Sequence, residues 1–143
     1  MFDDFKSKAI DKCFKDAKTV TPQRLRILET LYNEHKPLSA YEIRDHIEDI
    51  GTKFNIATIY RVLDFWCDMN VVHRVSAFNK FVCCANPDER HTHIINCCQK
   101  CETLTESCNE KMGLDIDNGM NALGMQLARN SHLEIPVICS SCA

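Results

Sequence analysis

Two Cys-x-x-Cys pairs constrain this 143-residue chain more than any other feature. They are Cys98 with Cys101 and Cys139 with Cys142, and 37 residues separate the first pair from the second. We call each Cys-x-x-Cys turn a knuckle. The four thiolates of two knuckles match the tetrahedral sulfur ligation of a structural Zn²⁺ site that leaves no coordination position open. We therefore predict that one zinc ion ties the last residues of the chain to its middle. A closed site of this kind stabilises a fold, so other residues must carry the function.

Cysteine usage also bears on the cellular compartment. The chain has 10 Cys and 6 His, and disulfides in a secreted protein are the alternative use for so many cysteines. The knuckle spacing, the nearby histidines and the lack of a charged-then-apolar leader instead favour reduced thiols and metal in a cytoplasmic protein. No apolar run approaches the ~20 residues that a membrane span needs, so we expect no membrane partner.

Charge is distributed unevenly along the chain. The formal net charge of −3 and the pI near 6.0 do not indicate a nucleic-acid-binding protein. Residues 1–84 hold 13 Lys and Arg against 12 Asp and Glu, whereas residues 85–143 hold 4 against 8. Any contact with a polyanion is therefore expected in the first half, through a local patch.

The first half is predicted to be helical and to end in a hairpin. Apolar residues recur every three or four positions from residue 2 to about residue 69, a spacing typical of amphipathic helices. Thr21-Pro22 marks the start of the second helix, and Ser39-Ala-Tyr-Glu42 is a capping box for the third. A last helix at about 55–69 precedes two short β-rich runs, Val71–Ser76 and Lys80–Cys84. This order predicts a winged helix-turn-helix, whose recognition helix enters the DNA major groove.

The second half is predicted to be a small β-β-α-β unit, which makes the chain an α+β protein. The expected strands are His91–Cys97, Glu102–Thr105 and Leu133–Ile138, with a helix from Cys108 to about Ala128. A unit of about fifty residues buries too little apolar surface to be stable alone, and metal binding or oligomerisation usually supplies the additional stability. We therefore predict a winged-helix DNA-binding domain at 1–84, a hinge at 85–90, and a metal-binding domain at 91–143 that forms a homodimer.

Several motifs then occur in an order that resembles a known family. They are Thr21-Pro22-Gln23-Arg24, Leu38-Ser39-Ala40-Tyr41, the run from Ala57 to Leu63, His91-Thr92-His93 and the two knuckles. Over about residues 15–142 the chain is similar to the ferric uptake regulator superfamily of bacterial metalloregulators, and most similar to its zinc uptake regulators. This resemblance implies a zinc-responsive repressor of zinc uptake genes that binds pseudo-palindromic, double-stranded operator DNA as a homodimer. It implies no enzymatic activity and no small-molecule substrate.

The resemblance also implies a second, regulatory zinc site in each subunit. Its His, Cys, His and Glu ligands fall on His73, Cys84, His91 and Glu106. A thiolate in this set favours Zn²⁺ over Fe²⁺. Because side chains alternate along a strand, only one of Cys83 and Cys84 can face the hinge, and we favour Cys84.

Other histidines and cysteines leave alternatives open. His93 shares a strand face with His91, so either or both could bind metal, and His93 is a possible ligand of an extra site. His132 and Cys108 could join such a site, although a lone His is more often a hydrogen-bonded structural residue.

The DNA-contacting residues follow from the resemblance and from side-chain chemistry. Tyr41 and Arg61 are carried over from the family pattern. Arg61 could donate two hydrogen bonds to a guanine edge, and Tyr41 could touch a phosphate or a thymine methyl group. Thr58 and Lys53 are further candidates for contacts to the DNA backbone.

Two other functions remain as alternatives. One is an iron or peroxide sensor on the same scaffold, but those sensors use a histidine before the third helix, where this chain has Lys36-Pro37 and a displaced His35. The other is a zinc hydrolase with Glu106 activating water, which requires an open coordination position. The chain contains no His-Glu-x-x-His motif, and its His-x-Glu triplets at His46 and His132 are not followed by the Pro-Cys-x-x-Cys of the deaminases, which argues against the hydrolase.

Overall fold

The computed structural model describes residues 1–49, 53–85, 87, 92–108, 110–128 and 131–143. The chain divides into two compact units, Met1–Asp88 and Glu89–Ala143. Most of the predicted hinge at 85–90 lies outside the described residues, so the bounds of the two domains stay a prediction. Among the described helices, none combines the length and the apolar character that crossing a bilayer requires.

The first unit has helices followed by a two-stranded hairpin, as the sequence predicts. The described elements are α1 Phe2–Lys15, α2 Pro22–Glu34, α3 Ala40–Asp49, α4 Ile56–Asp68, β1 Val72–Val75 and β2 Lys80–Cys83. The two strands pair antiparallel, with Val72 opposite Cys83 and Val75 opposite Lys80. The helices and this hairpin form a winged helix-turn-helix, which confirms the predicted fold of this half.

Side-chain caps define where α2 and α4 begin. The Thr21 hydroxyl accepts the backbone N–H of Arg24 at 3.2 Å, and Pro22 occupies the first turn of α2. The Asn55 side chain accepts the backbone N–H of Thr58 at 2.8 Å. Each cap satisfies a backbone donor that has no partner within the helix, so the start of each helix is fixed locally.

The capping box of α3 also connects this helix to the wing. The backbone N–H of Glu42 donates to the Ser39 hydroxyl at 3.1 Å, and the backbone N–H of Ser39 donates to the Glu42 carboxylate at 3.2 Å. The same carboxylate lies 3.4 Å from the Lys80 ammonium on β2. Leu38 and Phe81 exchange backbone hydrogen bonds of 3.0 and 2.7 Å, which adds a short third segment to the wing. The wing is therefore fixed to the start of α3.

A single apolar core holds the first unit together. Its largest fully buried side chains come from α2, α3, α4 and the wing: Ile27, Leu28, Leu31, Leu38, Ile43, Ile47, Ile59, Leu63, Trp66 and Phe81. Cys13 of α1 is also fully buried, and Cys67 of α4 packs against the core. Burial of these side chains leaves the opposite face of α4 available to solvent.

The second unit is built on a three-stranded sheet. Its described elements are β3 His93–Cys98, β4 Leu104–Cys108, α5 Ile116–Ala122 and β5 His132–Val137. The strand order is β4-β3-β5, with β4 antiparallel and β5 parallel to the central β3. The parallel pairing requires a crossover between β4 and β5, and the segment that contains α5 supplies it. The predicted β-β-α-β order is therefore correct.

The predicted helix from Cys108 to about Ala128 is wrong in extent. Cys108 ends strand β4, and the helix covers only Ile116–Ala122. Gly113 and Gly124 have φ angles of +70° and +73°, in the left-handed region that glycine adopts without a steric penalty. A right-handed helix cannot continue through these angles, so one glycine precedes α5 and the other ends it.

Candidate metal centres and nucleic-acid interface

The four knuckle cysteines meet at one edge of the second unit. Cys98 is the last residue of β3, and Cys139 lies two residues beyond the end of β5. Because β3 and β5 are parallel neighbours, both strands deliver their following turns to the same edge of the sheet. The Sγ atoms of Cys98, Cys101, Cys139 and Cys142 all lie within 4.8 Å of one another.

The backbone around these thiols favours bound thiolate. The N–H of Cys139 donates to Cys98 Sγ at 3.4 Å. Backbone hydrogen bonds, the largest from Cys139 and the next from Cys101 and Lys100, lower the pKa of Cys98 to about 6. In contrast, hydrogen bonding to Cys139 and then to Cys101 raises the pKa of Cys142 to about 12. A divalent cation among the four sulfurs would favour deprotonation of all of them, so the donor set fits Zn²⁺.

The neighbouring Cys97 is not part of this group. Its side chain is buried, and its Sγ lies 3.7 Å from the carbonyl oxygen of Ile95. Strand alternation sends the side chains of Cys97 and Cys98 to opposite faces of β3.

His93 and Glu106 form a second pair of potential ligands within the same unit. In the β3–β4 hairpin His93 lies opposite Cys108, and Ile95 lies opposite Glu106. Glu106 is therefore the diagonal neighbour of His93 on the same sheet face. His93 Nδ1 lies 2.5 Å from Glu106 Oε1, and the histidine is 1% exposed. His91, the histidine that the family pattern implies, lies outside the described residues.

His73 and Cys84 form a comparable pair in the first unit. His73 lies on β1, and Cys84 directly follows β2, where its backbone N–H donates to the Val71 carbonyl at 2.8 Å. Both side chains are 2% exposed, and their potential ligand atoms lie within 4.8 Å of each other. Cys83 pairs with Val72, on the other face of the hairpin. Cys84, not Cys83, therefore shares a face with His73.

The candidates for an extra site lie in a row across the second unit's sheet. His93 is opposite Cys108 on one side and in register with His132 on the other. His132 Nε2 lies 3.6 Å from Glu134 Oε2. A third metal site at these residues stays a prediction.

The candidate DNA-contacting residues lie on α3 and α4 of the first unit. Tyr41 on α3 is 52% exposed, which is high for an aromatic residue, and Arg61 on α4 is exposed. Arg61 Nη2 lies 3.5 Å from the hydroxyl of the half-buried Thr58, one turn earlier on the same helix. Lys53 is exposed just before α4 begins. These side chains could reach a duplex lying along the outer face of α4.

Comparison with known proteins agrees with this architecture. The model of the ferric uptake regulator family matches residues 15–134. The chain belongs to the ferric uptake regulator family. The resemblance inferred from the sequence motifs is therefore confirmed.

Zinc and iron regulators are both among the relatives. The zinc uptake regulation protein of Escherichia coli (strain K12) is 28% identical over 127 residues, which cover 86% of this chain and 72% of the relative. The ferric uptake regulation protein of Vibrio anguillarum is 33% identical over 103 residues, covering 70% of this chain and 68% of the relative. A solved structure of a zinc uptake regulator in complex with zinc and DNA has a TM-score of 0.78 and 27% identity. That match covers 95% of this chain and 91% of the solved one.

Sequence reasoning did not identify His93 as the neighbour of Glu106. The signal was present, since His91 and His93 are two residues apart and face the same way in a strand. Choosing between them requires the hairpin register, which fixes the residue opposite each position. The sequence also did not reveal the role of Lys80, because its contact with Glu42 forms only when the wing packs against α3.

Proposed function

We propose that this protein is a zinc-responsive transcriptional repressor that acts in the cytoplasm and binds operator DNA as a homodimer. The observation that carries this proposal is the pairing of a buried thiol, Cys84, with the buried His73 beside a winged helix-turn-helix. The similarity to a zinc uptake regulator solved with zinc and DNA supports the same function. A regulator of this family needs no catalytic residue, and we assign none.

In this proposal one zinc ion per subunit is structural. Its ligands are Cys98, Cys101, Cys139 and Cys142, whose sulfur atoms already lie close enough to share a tetrahedral ion. Because all four positions are protein ligands, this ion leaves no vacancy for a substrate or for a water molecule to be activated. Its role is to stabilise the second unit, in which Ile94 and Ile95 are the largest fully buried side chains among the described residues.

A second zinc ion per subunit is regulatory. We propose that it is held by His73 and Cys84 from the first unit together with Glu106 and a histidine from the second. The sequence pattern assigns His91 to this role, whereas the contact of His93 with Glu106 supports His93. An ion shared by both units would bias the orientation of the DNA-binding units in a dimer. Zinc and operator would then each tighten binding of the other by a coupling free energy of about 1–3 kcal/mol.

The donor set favours zinc over iron as the regulatory metal. Thiolate and imidazole suit Zn²⁺, whereas Fe²⁺ in regulatory sites is better served by histidine and carboxylate oxygen. The similarity to a ferric uptake regulation protein keeps an iron or peroxide sensor as the alternative function. Metal analysis after exposure to equal concentrations of zinc, iron and manganese distinguishes the two, together with the sensitivity of DNA binding to peroxide.

Dimerisation through the second unit is supported by its exposed apolar side chains. Leu123 is 69% exposed, and Leu114, Met125 and Ile138 are each at least 45% exposed. Exposed apolar residues of this number in a unit of about fifty residues favour burial against a second copy. A symmetric dimer would present two α4 helices to two half-sites, which agrees with a pseudo-palindromic operator.

The test uses Cys84→Ser with Cys83→Ser as the matched control. An operator is first selected from random duplexes with the zinc-loaded protein, and binding is then measured by gel shift at buffered free zinc. Zinc should tighten operator binding of the wild type and of Cys83→Ser by about 5- to 150-fold, the range of typical coupling energies. Cys84→Ser should remain a folded dimer with its structural zinc and should not respond. A full zinc response in Cys84→Ser would contradict the proposal.

Single substitutions of the two histidines complete the assignment. His93→Ala should abolish the zinc response if the partner of Glu106 is the ligand, while His91→Ala should retain it. The reverse result would assign the ligand to His91.

A further inference from the structure

A cavity in the first unit lies beside the residues proposed to contact DNA. It has a volume of about 680 Å³ and opens between the end of α1, the start of α2 and the outer face of α4. Three cationic side chains from these three regions line it: Lys18, Arg24 and Arg61. Among the described residues that line the cavity, none is acidic. A concave surface with this charge favours an anion.

The surrounding backbone adds to the positive potential. The helix α2 begins at this cavity and has no acidic residue in its first turn. The positive end of its dipole is therefore not neutralised by a carboxylate in that turn. The hydroxyls of Thr21 and Thr58 and the amide of Gln23 provide further polar groups within the cavity wall.

Arg24 is held in place before any ligand arrives. Its guanidinium carbon lies 3.7 Å from the centre of the Phe65 ring, and its Nη1 donates to the carbonyl of Thr19. A guanidinium group has five N–H donors, so one hydrogen bond leaves others for an anion. Because stacking and the hydrogen bond already restrict the side chain, less conformational entropy is lost when a ligand binds.

Lys18 reaches the cavity because of how α1 ends. Ala17 has a φ of +53°, and the backbone N–H of Lys18 donates to the carbonyl of Cys13 at 2.8 Å. This left-handed turn ends the helix and redirects the chain toward α2. The cation therefore comes from a segment outside the helix-turn-helix itself.

We propose that this cavity binds a phosphate of the DNA backbone next to the base pair that Arg61 contacts. The inference rests on the proposed DNA-binding function and adds a specific contact to it. Lys18 and Arg24 hold the phosphate at the positive end of α2, which positions α4 along the groove. Contacts of this kind contribute affinity and orientation on every sequence, whereas contacts to base edges discriminate between sequences.

The decisive variant is Gln23→Glu, with Gln126→Glu in the other unit as the matched control. A carboxylate in the first turn of α2 interacts favourably with the helix dipole, so the thermal stability should be unchanged or slightly higher. The same carboxylate repels a phosphate in the cavity, so affinity should fall about ten-fold or more, and equally on operator and random duplex. The ratio of zinc-loaded to zinc-free affinity should stay the same. Gln126→Glu, which changes the net charge identically at an exposed position, should bind like the wild type.

Salt dependence provides a second measurement. Lys18→Gln should reduce the slope of log K against log salt concentration by about one unit, since one phosphate contact is lost. Lys36→Gln, at the opposite end of α2 and ~20 Å away by helix length, should keep the wild-type slope. Inorganic phosphate in place of chloride at equal ionic strength should compete with the duplex in the wild type and less in Gln23→Glu, because both ligands present phosphate oxygens to the same cations.

The outcomes separate this inference from the proposed function. If Gln23→Glu and Lys18→Gln bind DNA like the wild type and respond normally to zinc, the proposed phosphate site is wrong, whereas the repressor function is not contradicted. Competition by inorganic phosphate that is as strong in Gln23→Glu as in the wild type would contradict the assignment of the phosphate to this cavity. If the wild type binds no DNA with or without zinc, both proposals fail.

Discussion

The indole N–H of Trp66 donates to the backbone carbonyl of Arg24 at 3.0 Å, although the two residues lie 42 positions apart in the chain. Trp66 is fully buried on the inner face of α4, and Arg24 lies in the first turn of α2. The bond therefore fixes the start of α2 against the helix proposed to read DNA. The hydrogen bond therefore helps to fix the position of the proposed DNA-binding face, because Arg61 lies on the exposed face of that same helix.

Replacing Trp66 by Phe should lower the free energy of unfolding of the first unit by ~2 kcal/mol. The substitution removes a hydrogen bond and leaves a small cavity in the core. Urea denaturation followed by circular dichroism measures the effect, and zinc content should not change. An unaltered denaturation midpoint would mean that the indole N–H contributes nothing to stability.

Cys98→Ser should lose about one equivalent of tightly held zinc and should destabilise the second unit, because metal binding and folding are one equilibrium. Cys97→Ser is the matched control, since this neighbour lies on the opposite face of β3 and should keep its zinc. Metal analysis by mass spectrometry and the melting temperature of both variants are the measurements. Full zinc content and an unchanged melting temperature in Cys98→Ser would refute the structural assignment.

The carboxyl group of Glu42 should show a pH dependence that reports its contact with the wing. Burial opposes its ionisation, but hydrogen bonds from Ser39 and the charge of Lys80 outweigh burial and lower its pKa below the ordinary 4.5. A carboxyl group whose pKa is lowered in the folded state stabilises the fold at pH values above its ordinary pKa. This contribution is lost as the pH falls through the folded-state pKa. Lys80→Gln should therefore raise the pKa of Glu42 toward 4.5 in an NMR titration. An unchanged pKa in this variant would show that the ion pair is not formed in solution.

Arg61→Ala should weaken operator binding by about ten- to a hundred-fold, because a guanidinium paired with a base edge contributes ~1–3 kcal/mol of discrimination. The preference for operator over random duplex should fall with it, while zinc content and the dimer stay intact. Arg61→Lys separates charge from geometry, since an ammonium group cannot make the two-point contact. Equal losses on every sequence would instead indicate a contact to phosphate, and unchanged binding would contradict the assignment of α4 as the recognition helix.

The sequence by itself determined the features that depend on near neighbours. Thr21, Ser39 and Asn55 cap the helices that follow them, because a cap involves only the next two or three residues. Apolar spacing predicted the helices of the first unit, since burial on one face repeats with the period of the helix. The order of motifs in the chain was enough to identify the family.

Tertiary structure decided which residues from distant segments meet. The four thiols converge because β5 pairs parallel with β3, and no local pattern specifies a strand partner almost forty residues away. The hairpin registers placed Cys84 with His73 and Glu106 beside His93, since a shift of one residue reverses the face of every side chain. The helix expected after Cys108 was shortened by backbone angles at Gly113 and Gly124, which apolar spacing does not reveal. Local chemistry therefore specified the elements, whereas strand register and backbone geometry specified the sites, because contacts between distant segments depend on the whole fold.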